Sequence, residues 1–275
     1  MTQAQKAEAF KRLHEGPGAF VIANPWDAGS ARLLETLGFK ALATTSAGFA
    51  FSIARPDGAV SREEALGNGA AIAAATTLPV AADLENGYGP SPEDCALTIT
   101  GAGAAGLVGG SIEDATGDAQ SPIFDIGLAT ERVAAAASAA RKLGFPFMLT
   151  ARAENFLHGR ADLKDTIKRL QLFQEAGADV LFAPGLRTRE DIRAVTSSVD
   201  RPVNVIMGLQ GVRLSVSDLS SLGVRRISAG SALARAAYGA MLRGAREIAQ
   251  EGTFGFSDDA VPFGDLNAIF ATVNR

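Results

Sequence analysis

Gly103-Ala-Ala-Gly-Leu-Val-Gly-Gly-Ser-Ile-Glu113 follows an alanine-containing helical run, passes through glycine into a short apolar segment and closes on a carboxylate. The same phrase recurs as Gly38-Phe-Lys-Ala-Leu-Ala-Thr-Thr-Ser46, Gly177-Ala-Asp-Val-Leu-Phe-Ala-Pro184 and Gly223-Val-Arg-Arg-Ile-Ser-Ala-Gly230. In each, the first glycine suits a helix C-terminus in the left-handed conformation, and the apolar residues after it enter a sheet. Proline-led segments supply further strands: Leu78-Pro-Val-Ala-Ala-Asp-Leu-Glu85, Phe145-Pro-Phe-Met-Leu-Thr-Ala-Arg152 and Arg201-Pro-Val-Asn-Val-Ile-Met207. A proline at a strand's first residue forfeits no ladder hydrogen bond. With Phe20-Val-Ile-Ala-Asn24 these make eight candidates, starting near residues 20, 41, 79, 106, 146, 178, 202 and 225 and alternating with helical patterns. They are apolar throughout, as strands buried on both faces are. Eight such units without a linker predict a (β/α)8 barrel over residues 1–253, with a doubly wound open sheet as the alternative. Residues 254–275 are left as a C-terminal tail, read as helical and used in oligomer contacts.

The 275 residues are 47% hydrophobic and 20% charged, with one cysteine and a formal charge of −4. A lone cysteine makes neither an intramolecular disulfide nor a Cys-based zinc cluster, which favours a cytoplasmic setting. The acidic balance and the lack of a long Lys/Arg run argue against nucleic-acid and anionic-membrane partners. No apolar stretch reaches the roughly 18 residues of a membrane span. The N-terminus MTQAQKAEAFKRLHEG is a polar helical pattern without a signal-peptide core.

In a barrel of this kind the active site forms at the C-terminal ends of the strands, so the polar residue closing each apolar run is the one to read. Strand one ends in Asn24-Pro-Trp-Asp27, strand two in Thr44-Thr-Ser46, strand three in Asp83-Leu-Glu85, strand four in Glu113-Asp114 and strand five in Arg152-Ala-Glu154, while strand seven carries Asn204. Carboxylates gathered around one mouth repel one another unless a cation sits among them. With no cysteine or histidine at these ends the donors are oxygen only, which selects Mg2+ or Mn2+ over zinc. Arg152 stands where it would grip a substrate carboxylate or phosphate. An isolated Asp or Glu after a strand is more often a helix N-cap than a ligand, and Asp27, Asp114 and Glu154 each admit that reading. Asp83-x-Glu85-x-Gly-x-Gly89 resists it, because two carboxylates two apart on a strand share a face and a glycine turn follows.

Other features read as structural. Gly101-Ala-Gly-Ala-Ala-Gly106 has the spacing of a dinucleotide fingerprint, but it ends a helix and leads into a strand, the inverse of what a pyrophosphate needs. Cys95 reads as a small buried hydrophobe and His14 as a surface residue of the first helix. His158, in a loop over the mouth, is a candidate acid, base or substrate contact.

Six stretches together carry a family resemblance: NPWDAGSARLLETLGF from Asn24, TTSAGFAFSIARPDG from Thr44, AADLENGYG from Ala81, IED from Ile112, ARAENF from Ala151 and VRRISAGSALARAAYGAM from Val224. In that order they resemble the isocitrate lyase and phosphoenolpyruvate mutase superfamily, with its carboxyvinyl-carboxyphosphonate phosphorylmutase-like subgroup. The resemblance implies a (β/α)8 barrel that swaps its eighth helix with a neighbouring subunit, in a dimer of helix-swapped dimers, and so a homotetramer. It also implies a Mg2+ requirement, with Mn2+ as substitute, and a small carboxylic acid substrate that is a 2-oxo acid or its precursor. Asp83 matches the directly coordinating aspartate. Glu85, Glu113 and Asp57 match carboxylates that hold metal-bound waters, with Glu in place of the more usual Asp at 85. Thr45, Ser46 and Ala47 match the turn that holds the substrate carboxylate or oxyanion, and Arg152 the carboxylate-binding arginine. Arg152, Glu113 and Asp57 are the expected catalytic set, with Asn204 and His158 as further substrate contacts.

The sequence departs from the family after Glu113. Members that cleave isocitrate-like acids carry a Lys-Cys-Gly-His-type loop there, whose cysteine protonates the released carbanion. Asp114-Ala-Thr-Gly-Asp-Ala-Gln-Ser-Pro-Ile-Phe124 contains no Cys, Lys or His, which leaves the general acid unassigned. It also lacks the Lys and Asn that hold a migrating phosphoryl group. The expectation is a Mg2+-dependent lyase for an oxaloacetate-like acid or substituted malate. The alternatives are a 2-oxo acid hydrolase, of oxaloacetate or phosphonopyruvate type, and a protein that binds such an acid without turning it over.

Overall fold

The computed structural model describes residues 1–271, so the last four residues of the predicted tail lie outside the described residues. The strands are β1 (Phe20–Ile22), β2 (Leu42–Ala43), β3 (Val80–Asp83), β4 (Gly109–Glu113), β5 (Met148–Arg152), β6 (Val180–Phe182), β7 (Val203–Ile206) and β8 (Arg226–Ser228). All pair in parallel in the order β1-β8-β7-β6-β5-β4-β3-β2, and a parallel bridge between Ala23 and Leu42 joins the two ends. Each strand therefore neighbours the next in sequence around a nearly closed ring. A doubly wound sheet would break that order, so the (β/α)8 barrel is the fold.

The crossovers are α2 (Ala28–Thr36), α4 (Arg62–Ala75), α5 (Pro92–Ala104), α6 (Ile126–Arg141), α7 (Leu163–Glu175), α8 (Arg189–Ser197) and α9 (Val216–Ser221), with α1 (Gln3–Glu15) before β1 and a short α3 (Ser46–Ser52) after β2. Their starts follow sequence chemistry: Asp27, Ser61, Ser91 and Ser215 each close a capping box with the residue three further on. Gly38, Gly177 and Gly223 take positive φ where helix turns to strand, but in the fourth phrase that role falls to Gly106, not Gly103. Gly103 lies inside α5, where a Cβ would come within 2.6 Å of Leu143. Of the fingerprint-like glycines, Gly103 thus lets α5 pack closely on Leu143 just after α6, and Gly101 leaves room for Leu66 of α4, which a Cβ would approach to 2.7 Å.

α1 covers the N-terminal end of the barrel. Ala7 and Phe10 are fully buried against Ile22, Ala41, Ala81, Val108, Met148 and Val180, near the starts of the strands. His14, one helical turn beyond Phe10, is buried with them and is not the surface residue expected from the polarity of this segment. Its ring stands edge-on between Phe10 and Phe20. Nδ1 lies 2.9 Å from the Phe10 carbonyl and Nε2 3.4 Å from Arg226 Nη1. Since an arginine only donates, Nε2 accepts and Nδ1 carries the hydrogen. Arg226 is itself buried inside the barrel, bonded to Asn204 Oδ1 and Thr150 Oγ1 at 2.9 Å each. Burial lowers its pKa to about 9. Burial first and the Arg226 charge second lower the His14 pKa to about 3.

At the other end of the chain, α10 (Ala232–Glu251) is 20 residues long yet buries only Ala234 and Gly244. Leu233, Met241, Leu242 and Ile248 stand exposed along it. A 3-10 turn (Gly255–Asp259) folds Phe256 back over Gly244, and α11 (Phe263–Ala271) lies against α2, where Arg32 donates to the Ile269 carbonyl at 3.1 Å. Among the described residues no helix is long and apolar enough to cross a membrane.

The neutral His14 gives a stability prediction. Its folded pKa, about 3, lies below the unfolded value of 6.5, so the unfolded chain binds the extra proton between those limits. The contribution of His14 is complete above pH 6.5 and is lost as pH falls toward 3. In urea unfolding between pH 7.5 and 4.5, wild type should lose up to about 1.4 kcal/mol per pH unit more than His14→Gln. Parallel curves for the two proteins would show that His14 is solvated.

Candidate active site

Asp83, Glu113 and Arg152 are the last residues of β3, β4 and β5. Glu113 pairs with Arg152 in register, and Asp83 pairs with Ser111 two residues before Glu113, so neighbouring strands carry the three side chains to one level of the barrel mouth. The Arg152 guanidinium joins them. Nη1 lies 2.8 Å from Asp83 Oδ1, Nη2 2.9 Å from Glu113 Oε2 and Nε 2.8 Å from Glu154 Oε1. The cation also stands 5.3 Å from the Phe182 ring centroid. The other oxygen of Asp83 accepts from Ser46 Oγ at 2.9 Å and from the Ser46 amide at 3.3 Å. Ser46 Oγ is also 3.3 Å from Asp57 Oδ1, which brings the loop after α3 to the site. Thr44 Oγ1 accepts from the Asp83 amide at 2.9 Å.

The turn after β3 is held in an uncommon conformation. Glu85 and Tyr88 have φ of 47° and 60°, left-handed values that cost a side-chain-bearing residue on the order of 1 kcal/mol or more each. Arg132 grips this turn through the Asn86 carbonyl and, at 2.7 Å, the Gly89 carbonyl. Arg62 donates to the carbonyls of Gly87 and Tyr88 at 3.3 Å each. Glu85 Oε1 and Tyr88 Oη are both buried with no hydrogen-bond partner.

One guanidinium does not balance this many carboxylates. Burial, then Asp83 and Asp57, raise the Glu85 pKa to about 7 against the pull of Arg152. Burial lifts Glu113 well above the usual carboxylate range, with Arg152 opposing, and raises Glu154 in the same way. Asp57 is raised by desolvation and then by Asp83. Arg152 itself is buried, but Glu113, Glu154 and Asp83 outweigh that cost and hold it firmly protonated.

Above the cluster opens a cavity of about 810 Å³, whose wall includes Ser46, Asp57, Glu85, Glu113, Arg152 and His158. The donors suit a hard divalent cation: they are oxygen only, their charge exceeds that of Arg152, and Glu85 presents a buried oxygen without a partner. Among the described residues no three His, Cys, Asp or Glu side chains close on one point as direct ligands. Asp83, Glu85, Glu113 and Asp57 are the carboxylates that could hold such an ion, directly or through water.

The remaining expected residues lie around this centre. Thr45 is the N-cap of α3, its hydroxyl accepting from the Gly48 amide at 3.2 Å, and Ala47 follows Ser46 in the first turn. Asn204 sits deeper, in a bore of about 100 Å³ below the carboxylates, tied to Arg226 and, at 3.0 Å, to Ser228. Asp27 is a helix N-cap. Asp114 is not: one oxygen accepts from the Glu154 amide at 2.8 Å and the other meets Arg169 Nη1 at 2.9 Å, with burial raising its pKa to about 6. Glu154 is not a cap either, since it braces Arg152. The sequence held a signal for it: Arg152-Ala-Glu154 repeats the two-apart spacing of Asp83-Leu-Glu85. Tyr88 had no such mark. The loop after Glu113 closes as a small hairpin through an Ala115–Ile123 bridge and brings Ala115, Thr116 and Gly117 to the cavity wall.

Comparison with known proteins bears on the family and the fold. The family model for phosphoenolpyruvate phosphomutase matches residues 10–249. Among solved structures, a candidate lyase/mutase of Burkholderia cenocepacia J2315 is 58% identical with a TM-score of 0.96, over 98% of this chain and 97% of that one. A 2,3-dimethylmalate lyase of the PEP mutase/isocitrate lyase superfamily is 26% identical with a TM-score of 0.86, over 97% and 95% of the two chains. The oxaloacetate decarboxylase of Bradyrhizobium diazoefficiens is 27% identical over 74% of this chain and 71% of its own.

The buried Asp114–Arg169 pair underpins the site from behind, because Asp114 fixes the backbone of Glu154. Arg169 also donates to the Phe124 carbonyl at 2.9 Å and to Asp165 at 2.8 Å. Arg169→Met should cost about 3–5 kcal/mol in chemical denaturation at pH 7.5, because it strands a buried carboxylate. A loss below about 1 kcal/mol would mean that the pair is solvated.

Proposed function

Because the chain belongs to the phosphoenolpyruvate phosphomutase family of the isocitrate lyase/PEP mutase superfamily and is an enzyme of that lyase and mutase group, we propose that it is a Mg2+-dependent carbon–carbon lyase for an oxaloacetate-like 2-oxo acid or substituted malate. The observation that carries this reading is the single guanidinium among Asp83, Glu113 and Glu154, with the unpartnered oxygen of Glu85 beside it. Asp83 would hold the ion directly and Glu85, Glu113 and Asp57 its waters. Bound there, Mg2+ or Mn2+ supplies Lewis acidity toward the carboxylate and keto oxygens of a chelating acid.

The chain's own residues account for the rest. Arg152, braced by Asp83, Glu113 and Glu154 and standing over Phe182, is a pre-positioned guanidinium at the cavity floor that would meet the substrate carboxylate once a bound cation offsets the carboxylates around it. The amide and hydroxyl of Ser46, in the turn that opens α3, both donate to Asp83 Oδ2 and so hold that carboxylate beside the substrate site. Thr45 and Ala47 hold that turn, Asn204 supports the floor from below, and His158 stands at the rim. The 114–124 loop offers no cation for a migrating phosphoryl group, which favours carbon chemistry. The names of the dimethylmalate lyase and the oxaloacetate decarboxylase point the same way. The lone buried Cys95 suits a cytoplasmic setting.

A screen of 2-oxo and 2-hydroxy diacids with product identification tests the reading. EDTA should abolish turnover and Mg2+ restore it, and Asp83→Ala should lower kcat/KM about 1000-fold. Full activity in both would sink it. Acetate or oxalate in place of CO2 would mark a hydrolase, and binding without product a non-catalytic binder. The nearly uncovered α10 supports exchange of that helix with a neighbouring copy in a dimer of swapped dimers. Light scattering should then give a tetramer, and a monomeric mass would overturn the exchange.

A further inference from the structure

Among the described residues no carboxylate pairs with Arg226, whose partners are Asn204 Oδ1, Thr150 Oγ1 and His14 Nε2. Its pKa, lowered to about 9, still leaves it charged at neutral pH. A guanidinium withdrawn from water without an anion is costly, and of its five N–H groups these contacts engage three. Arg226 lines the bore of about 100 Å³ that descends from the level of Asp83 and Arg152. Three hydroxyls on the same wall act as acceptors toward the protein. Thr150 Oγ1 accepts from Arg226 Nη2 at 2.9 Å, Ser228 Oγ from Asn204 Nδ2 at 3.0 Å and Thr44 Oγ1 from the Asp83 amide at 2.9 Å. Among the described residues none of the three donates, so each keeps a hydrogen for a further acceptor. Asp83, at the upper end, already accepts from Arg152 and Ser46. A wall that combines a buried cation with surplus O–H donors is complementary to an oxyanion. An apolar substituent lodged there would leave the same groups unpaired.

We propose that this bore is the subsite for the second carboxylate of a dicarboxylic ligand, held by Arg226 with the hydroxyls of Thr150 and Ser228. The proposal rests on the reading above for the kind of acid bound, and it assigns the residues that tell a diacid from a monoacid. Thr150 and Arg152 lie two apart on β5, about 7 Å along the strand and on the same face. A four-carbon diacid measures about 6 Å between its end oxygens. One molecule therefore reaches from the mouth, where Arg152 meets its first carboxylate, to the level of Thr150 and Arg226. Asn204 holds both Arg226 Nε and Ser228 Oγ, and so sets the two donors side by side.

Titration calorimetry on the full-length protein with Mg2+ present tests this with malate and 2-hydroxybutyrate, which differ only in carboxylate against methyl at one end. Wild type should favour malate on the order of 100-fold. Arg226→Met should bind 2-hydroxybutyrate as wild type does and lose the preference. Ser228→Ala leaves the three partners of Arg226 in place and should lower the preference about 5- to 10-fold. If Arg226→Met does not fold, Ser228→Ala decides alone. Equal affinity of wild type for the two acids overturns the subsite, as does binding of neither. A preference that survives the substitutions overturns it too, and so does equal weakening of both acids, the mark of a structural role. If the preference behaves as expected while no 2-oxo acid is turned over, the lyase reading fails and the subsite stands. If 2-oxo acids are turned over but wild type does not distinguish the two probes, the subsite fails and the lyase reading stands.

Discussion

The fork of Arg152 between Asp83, Glu113 and Glu154 is the contact on which the rest of the site depends. The guanidinium uses all three nitrogens, each within 3 Å of a different carboxylate, so its position is set from β3, β4 and the turn after β5 together. A one-residue slip in the pairing of β4 with β5 would turn Glu113 or Arg152 away from the mouth, because side chains alternate along a strand. Barrel register and site geometry are therefore one constraint. The apolar residues that fill the wall fix the register, and the register places the charges.

Arg226, buried lower in the same bore, makes a contrast that shows what each cation is for. Its partners are neutral: an amide, a hydroxyl and an imidazole. Burial without a carboxylate lowers its pKa, whereas the surrounding carboxylates raise that of Arg152. A guanidinium with neutral partners can tie β5, β7, β8 and α1 together without adding to the negative cluster above. Closing the lower end of the barrel requires His14 to be neutral, because a second positive charge beside Arg226 would have no anion to meet. The floor and the mouth are thus held by the same residue type under opposite electrostatic terms.

How far the sequence disclosed this depends on the range of each interaction. The strands were legible because continuous apolar runs and flanking turn residues are local signals, and the carboxylates because each closes such a run. His14 was misread for the same reason: local polarity said surface, and burial came from Phe10, Phe20 and Arg226, the last more than two hundred positions away. Asp114 admitted reading as a cap, since its true partner Arg169 lies in a different crossover. The commitment of Arg152 to protein carboxylates, and of the Ser46 amide to Asp83, is likewise a property of assembled strand ends that no single segment carries.

The turn from Glu85 to Tyr88 shows where local rules give way. Among the described residues, three non-glycine residues have positive φ: two are in this turn and the third, Ala54, lies in the loop that leads to Asp57. A strand followed by Glu-Asn-Gly-Tyr-Gly would relax toward ordinary dihedrals if only its own residues were consulted. It does not relax because Arg62 and Arg132, on α4 and α6, hold its carbonyls from outside, and because Thr98 Oγ1 also donates to the Gly87 carbonyl at 2.8 Å. The outer helices thus offset the strain of a conformation that leaves Glu85 Oε1 and Tyr88 Oη buried without hydrogen-bond partners. Such strain survives only where the surroundings over-determine it. Here the over-determination comes from Arg132 and Thr98 on the outer helices and from Arg62, which also reaches the cavity wall, so the helical shell shapes the mouth together with the strands.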